Sequence, residues 1–152
     1  MKSNKNLIAA ALATILMSAN AFAGDNHSVT INGTVSGNCK FNAPTSTVNL
    51  TIDPTASTTV TQGASVLYRC TKGTAPTFVL SSGSTSSATG GNLVNGAESI
   101  PYTFSSTPGG SGSGMGAGND KTLSVSVSVN QANAANVTPA VYTDSIAITL
   151  TP

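Results

Sequence analysis

The sequence has no Trp, one His and two Cys, and charged residues make up only 7% of its 152 residues. A Ser/His/Asp arrangement or a histidine-containing metal site would have to use His27, and no Cys-x-x-Cys pair is present. The five carboxylates are widely spaced and repeat no metal-loop pattern. We therefore predict no catalytic, cofactor-binding or metal-ligating residue, and we expect that the chain is not an enzyme.

The first 23 residues have the features of a signal peptide. Lys2 and Lys5 precede an apolar run over residues 7–17, and Ala21-Phe22-Ala23 fits a small-x-small cleavage site. The apolar run is shorter than the ~20 residues that a membrane-spanning helix needs. We therefore predict an exported chain that starts at Gly24; an N-terminal anchor or core helix is the less favoured alternative.

The predicted mature chain has too few basic residues for a nucleic-acid or membrane-surface protein. Removal of Lys2 and Lys5 leaves four basic residues (6 − 2) against five acidic ones. This composition predicts no nucleic-acid partner and no membrane insertion of the mature chain. The remaining residues, 24–152, suit a single domain.

Residues 139–152 show the alternation of a half-buried strand. Tyr142, Ile146, Ile148 and Leu150 share one parity, and hydroxyl-bearing residues occupy most of the other. No segment follows in this sequence to pair with the strand, so we expect another segment to cover its free edge.

Similar period-2 patterns recur along the chain. They predict strands at residues 27–39, 41–54, 64–70, 76–82, 98–105 and 121–130, a short strand or turn at residues 92–96, and no helix after residue 23. Pro101 predicts an edge or a bulge in its strand. Many short strands separated by turns predict an all-β sandwich.

A Gly/Ser-rich stretch at residues 108–118 matches a loosened G-x-G-x-x-A pattern. A phosphate loop is followed by a helix, whereas the residues after this stretch alternate like a strand. We therefore predict a flexible hairpin loop.

The two cysteines of an exported chain are expected to pair. A Cys39–Cys70 disulfide would close a loop of about 31 residues and stabilise the fold by roughly 3–4 kcal/mol in the chain-entropy model. A metal pair or a free nucleophile is the alternative, and the single His disfavours both.

Three features of the sequence occur together: Tyr142-Thr143-Asp144 before an alternating C-terminal run, the two cysteines, and Ile100-Pro101-Tyr102-Thr103-Phe104. In these features the chain resembles the spore coat U domain family, which includes the subunits of archaic (Csu-type) chaperone–usher pili. The chain departs from the family at Ala140-Val141, where a Gly is usual, and in its Gly/Ser-rich loop.

The resemblance implies an immunoglobulin-like β-sandwich at residues 37–152 that is incomplete and is completed by a donor strand from a neighbouring subunit. Residues 24–36 would be the donor segment, whose strand carries Val29, Ile31, Gly33 and Val35. The acceptor groove would follow the C-terminal strand, along Tyr142, Ile146, Ile148 and Leu150.

The implied partners are identical or related pilins, a periplasmic chaperone and an outer-membrane usher. The implied location is an extracellular surface fibre that supports adhesion and biofilm formation. Two alternatives stay open: a self-contained coat or matrix protein whose first strand pairs within its own sandwich, and a tip adhesin or carbohydrate-binding module. The absence of Trp disfavours a sugar-stacking platform.

Overall fold

The computed structural model describes residues 24–152, so the predicted signal peptide lies outside the described residues. Within this range the chain forms seven strands. They are β1 (Cys39–Phe41), β2 (Thr59–Cys70), β3 (Thr77–Ser82), β4 (Gly90–Asn95), β5 (Glu98–Thr107), β6 (Lys121–Asn130) and β7 (Ile146–Thr151). A single 3-10 turn, Gln131–Ala134, follows β6.

The strands form two antiparallel sheets. The larger has the order β1-β2-β6-β5-β4, and the smaller consists of β3 and β7. Alternate residues of β6 (Leu123, Val125, Val127 and Val129) are buried in the core with Tyr68. The architecture is the predicted all-β, immunoglobulin-like sandwich. Side chains alternate between the two faces of a strand, so the apolar residues of β6 all point into the core.

The outer face of the larger sheet carries small hydroxyl side chains in register. Ser128 lies between Thr61 and Thr103, and Ser124 lies between Ser65 and Thr107. The Thr61 and Ser128 hydroxyls are 2.8 Å apart and hydrogen-bonded. This face is therefore hydrated through hydroxyl groups, since it has almost no charge.

A disulfide joins β1 to β2. The Cys39 and Cys70 sulfurs are 2.02 Å apart, and the two residues are direct partners in the strand register. Cys70 is fully buried beside Tyr68. The bond therefore fastens the start of the sandwich to the end of a long interior strand.

The edge predicted at Pro101 exists locally, although β5 as a whole lies between β4 and β6. Pro101 pairs with Asn92 of β4, and the pairing of β5 with β6 begins only at Thr103. The proline therefore lies where its strand has one neighbour, and its missing N–H breaks no ladder on the other side.

Four predicted strands differ most from the observed ones. Only Ile146–Thr151 of residues 139–152 is a strand, and an isolated bridge joins Thr143 to Val94. Residues 24–38 form no strand, and of residues 41–54 only Phe41 belongs to one. Conversely, the strand predicted at 64–70 starts earlier, at Thr59. Alternation shows which face of a segment is apolar. It does not show whether a neighbouring strand is present to form backbone hydrogen bonds with that segment.

The Gly/Ser-rich loop at 108–118 is a packed element, which corrects the prediction of a flexible loop. It connects β5 to β6, and its backbone bonds to the chain beyond β2: Gly73 N–H donates to Gly112 O (2.9 Å), and Gly112 N–H donates to Thr74 O (2.8 Å). Gly114 N–H donates to Cys70 O (3.0 Å). A strand follows the loop, so the phosphate-loop context is absent here, as the sequence predicted.

Gly112 is at this position because no side chain fits. A Cβ atom there would lie 2.4 Å from Cys70 O and 2.5 Å from Thr71 O. The Tyr68 hydroxyl also donates to Gly110 O (2.7 Å). The loop therefore covers the end of β2 through close backbone contact, which needs glycine and no apolar side chain.

Candidate functional site

The last strand, β7, has one unpaired edge. It is bonded to β3 alone, in a sheet of two strands. Ile146, Ile148 and Leu150 point toward the core yet stay only half-buried. A free edge beside half-exposed apolar side chains is the kind of surface to which another strand can be added.

A second unpaired segment faces this edge. Residues 43–52 follow β1, and Val48, Leu50 and Ile52 pack against the core while remaining half-exposed. Asn42 N–H donates to Leu67 O (2.9 Å), and Asp53 N–H donates to the Gln131 side chain (2.8 Å). Between these two anchors, the structure shows no hydrogen bond from the backbone of residues 43–52 to another main-chain group.

An apolar groove of about 1100 Å³ lies between the two segments. Its walls include Val48, Leu50 and Ile52 on one side and Ile146 and Ile148 on the other. Its floor is the inner face of the larger sheet, at Ala64, Val66, Ile100, Tyr102, Val125 and Val127. The groove therefore has the position and lining of a missing strand of the sandwich.

The two walls run in opposite directions. Phe41 lies near Phe78 (ring centroids 6.5 Å apart), which pairs with Leu150 near the end of β7. Asp53 lies beside Gln131, directly after β6. Residues 43–52 therefore run from the Leu150 end of the groove to the other end, antiparallel to β7. A strand between them would be antiparallel to one wall and parallel to the other.

Asp144 fixes the start of β7 through a convergent hydrogen-bond network. Its Oδ2 accepts bonds from the hydroxyls of Ser82 (2.7 Å), Ser84 (2.8 Å) and Tyr102 (2.7 Å). Its Oδ1 accepts from Ser145 N–H (2.8 Å). Ser84 in turn accepts from Asn92 N–H. The network joins β3, β4 and β5 to the residue that enters β7.

The network also shifts two ionisation equilibria. Burial alone would raise the pKa of Asp144, but the bonds from Ser82, Tyr102, Ser84 and Ser145 outweigh it and lower that pKa. Burial, and then the bond to Asp144, raise the pKa of Tyr102 to about 12. At neutral pH the pair is thus a carboxylate and a neutral phenol, which suits an anchor and gives neither group a proton to exchange.

A second carboxylate, Glu98, holds the segment before β7. It accepts bonds from Thr138 N–H (3.0 Å), from the Thr138 hydroxyl and from the Tyr142 hydroxyl. The Thr138 hydroxyl, followed by Tyr142, lowers the pKa of Glu98. These bonds place Tyr142 at the mouth of the groove.

The structure brings together part of the predicted acceptor set. Tyr142, Ile146 and Ile148 line the groove, whereas Leu150 packs beyond it, near Phe78. Of the predicted donor residues, Val29, Ile31 and Val35 are 74%, 89% and 85% exposed, and Gly33 is exposed too.

Sequence reasoning missed the wall at residues 43–52 and the floor. The signal for the wall was present, since Val48, Leu50 and Ile52 alternate with polar residues. It was interpreted as an ordinary strand, because alternation does not reveal that the neighbouring strand is missing. The floor could not be assigned because it depends on which of two sheets each strand joins.

Within residues 24–152 there is no cluster of three His, Cys, Asp or Glu side chains that could hold a metal ion. Over the same residues, no helix has the length and apolar composition that a membrane crossing requires.

The fold and groove together define a class: an all-β domain with an open apolar groove beside its last strand. The profile of the Spore Coat Protein U domain family matches residues 25–149, which is most of the chain. The chain belongs to this family, which includes the Csu-type subunits of chaperone–usher pili, and its general role is that of a pilus or coat subunit. No curated protein and no solved structure gives a significant match.

Proposed function

We propose that this chain is a structural, non-enzymatic subunit of an extracellular pilus, and that residues 24–36 of one copy fill the groove of the next. The observation that carries the proposal is the groove itself, bounded by two backbone segments without partners across it. An inserted strand would give both walls a hydrogen-bonding neighbour, which is β-augmentation on two sides.

The donor segment suits the groove in length and pattern. Residues 29–35 would span about 20 Å as a strand, similar to six-residue β7. Val29, Ile31 and Val35 are exposed now, and full burial of each would contribute ~1.5–3 kcal/mol. The main-chain hydrogen bonds of such a strand would each add roughly 0.5–1.5 kcal/mol.

Assembly by strand donation requires protection of the groove before a neighbour arrives, because an exposed apolar edge aggregates. The proposal therefore includes a periplasmic chaperone that covers the groove, an outer-membrane usher, and removal of residues 1–23 on export. The finished fibre would lie at the cell surface and support adhesion and biofilm formation.

A substitution in the donor segment tests the proposal. Ile31→Asp puts a carboxylate into a dry groove, so this variant should accept a strand from a neighbour but not donate one. Mixed with wild type, it should shorten fibres seen by electron microscopy and truncate the ladder of SDS-resistant oligomers in unheated gels. Thr30→Asp is the matched control, since its side chain has the opposite parity and would face outward.

The self-contained coat protein predicts a different result. Its wild type would run as a monomer, and Ile31→Asp would unfold the variant without affecting wild-type chains in the mixture. A mixture in which fibre length is independent of the Ile31→Asp fraction would contradict strand donation.

A further inference from the structure

The basic side chains of residues 34–152 all lie at one end of the sandwich. Lys40 pairs with Arg69 across β1 and β2, and Lys121 pairs with Tyr68 across β6 and β2. Lys72 follows β2 by two residues. We call this the lysine end. Asp120 lies there too and forms an ion pair with Arg69, so the net side-chain charge is +3 (4 − 1).

The other carboxylates of residues 34–152 lie at the opposite end. Asp53 is held beside Gln131, just after β6, and Glu98 is the first residue of β5 and bonds to Thr138. Asp144 precedes β7 at the same end. We call this the carboxylate end. Its net side-chain charge is −3, and no ion pair among the described residues involves these three groups.

The side-chain charges of the domain therefore sum to zero (4 − 4), but positive charge is concentrated at one end and negative charge at the other. Strand β6 has ten residues and starts at one end and finishes at the other, so the two charged ends are about 30 Å apart. The faces between them carry hydroxyl groups rather than charges. Among residues 34–152, the three lysines at one end and the three carboxylates at the other therefore have no ion-pair partner.

We propose that the lysine end of one subunit docks against the carboxylate end of a second copy of this chain. The polarity of this docking rests on the proposed strand donation. The donor segment joins the domain at the lysine end, where Asn38 N–H donates to the Thr71 hydroxyl (3.0 Å) and Thr71 N–H donates to Asn38 O (2.9 Å). Only a few residues separate this anchor from Val35.

A donor strand in the neighbour's groove therefore brings the neighbour close to the lysine end. If the strand runs antiparallel to β7, Val35 lies at the carboxylate end of that groove, and opposite charges face each other. In the reverse direction two lysine ends would meet, and like charges would oppose assembly. The charge distribution thus selects one direction of insertion and adds a docking surface outside the groove.

The expected signature is a salt-dependent assembly rate. Exposed charges act over a Debye length of ~10 Å at 0.1 M salt, and steering by complementary charge raises association rates by about 10–10³-fold. The rate at which the mature chain forms SDS-resistant oligomers should therefore fall about tenfold or more between low salt and roughly 1 M NaCl.

Charge variants locate the effect. Lys40→Gln with Lys72→Gln should slow assembly about tenfold at low salt and remove most of its salt dependence. Thr103→Glu with Ser105→Glu changes the net charge equally, on the exposed middle of the larger sheet, and should do neither. Within residues 24–152 neither lysine side chain makes a hydrogen bond or an ion pair, so the fold should persist.

A charge swap provides the rescue. Lys40→Glu with Lys72→Glu should nearly abolish assembly at low salt. Adding four lysines at exposed positions near Asp53 and Gln131 changes the carboxylate end from −3 to +1 (−3 + 4), against −1 (+3 − 4) at the other end. This reverses the polarity of the domain and should restore the rate. The four substitutions are Ser57→Lys, Asn133→Lys, Ala135→Lys and Asn136→Lys.

A synthetic peptide of residues 27–36 separates failure of docking from failure of strand donation. The peptide contains no Lys, Arg, Asp or Glu, so its binding to the groove should not depend on salt. If it binds and oligomers form at rates unaffected by salt or by the lysine variants, the docking surface is refuted and strand donation stands. If the control pair slows assembly as much as the lysine pair, docking at the ends is also refuted. If neither peptide binding nor oligomers appear, both proposals fail.

Discussion

Replacement of Asp144 by Ala should destabilise the fold more than removal of any one of the groups that donate hydrogen bonds to it. The substitution leaves the buried Tyr102 hydroxyl without an acceptor and the buried Ser82 hydroxyl with only the Ser84 hydroxyl (3.0 Å) as a partner, at ~1–3 kcal/mol for each lost bond. The other two donors are the Ser84 hydroxyl and the Ser145 backbone N–H. Both residues are exposed, so these groups can bond to water in the variant and add little to the loss of stability. We therefore expect a loss of about 3 kcal/mol in the free energy of unfolding.

Tyr102→Phe is the matched comparison, because Asp144 keeps three of its four donors. Its expected loss is only about 1 kcal/mol. Urea unfolding measures both values, and Tyr fluorescence can follow it since the chain has no Trp. An unchanged m-value would show that the variants still unfold as the wild type does.

The pH dependence gives an independent check. The pKa of Asp144 is lower in the fold than its usual value of 3.8, so the carboxylate contributes stability at neutral pH that is lost as pH falls through the folded pKa. The difference between wild type and Asp144→Ala should therefore narrow in acid, starting below about pH 4. The anchoring role of Asp144 would be refuted if Asp144→Ala lowered the free energy of unfolding by less than roughly 0.5 kcal/mol at pH 7. It would also be refuted if the difference in stability between wild type and variant grew in acid.

Two further predictions concern stability. Thiol labelling of the denatured, unreduced protein should find no free Cys, and reduction of the Cys39–Cys70 bond should lower stability by about 3–4 kcal/mol; labelling of two thiols per chain would exclude the bond. Gly112→Ala should lower the melting temperature by several degrees, since its Cβ would meet the Cys70 and Thr71 carbonyls. Ser113→Ala, at an exposed position of the same loop, is its control, and equal melting temperatures for the two variants would mean that the loop does not pack.

The sequence was most informative for the strand with the most regular alternation. Strand β6 was predicted with its observed bounds, because its buried Val and Leu residues alternate with Ser without interruption. The fold class followed from the number of such segments. For residues 43–52 the alternation was equally clear, but no ladder forms. The local pattern shows which face of a segment is apolar, whereas strand pairing depends on a segment that is distant in sequence. For residues 43–52 we propose that this segment belongs to another subunit.

The Gly/Ser-rich loop shows a different limit. Its composition predicts flexibility because it offers no apolar surface. The structure orders it through backbone bonds to residues 70–74, and Gly112 is needed only because Cys70 O lies so close. No local pattern specifies that approach. The groove floor and the two charged ends were missed for the same reason, since they depend on the order of strands in the sheets.

The Cys39–Cys70 bond has a mechanical consequence in a fibre. In the proposed fibre, tension on the donor segment would enter the domain at the start of β1, which holds β2 by only three register pairs. The disulfide passes the load to Cys70, the last residue of β2. A pull along β2 is then shared by its ten register pairs with β6, which are loaded in shear and must yield together. The load is thereby carried by the longest strand of the domain and not by the shortest one.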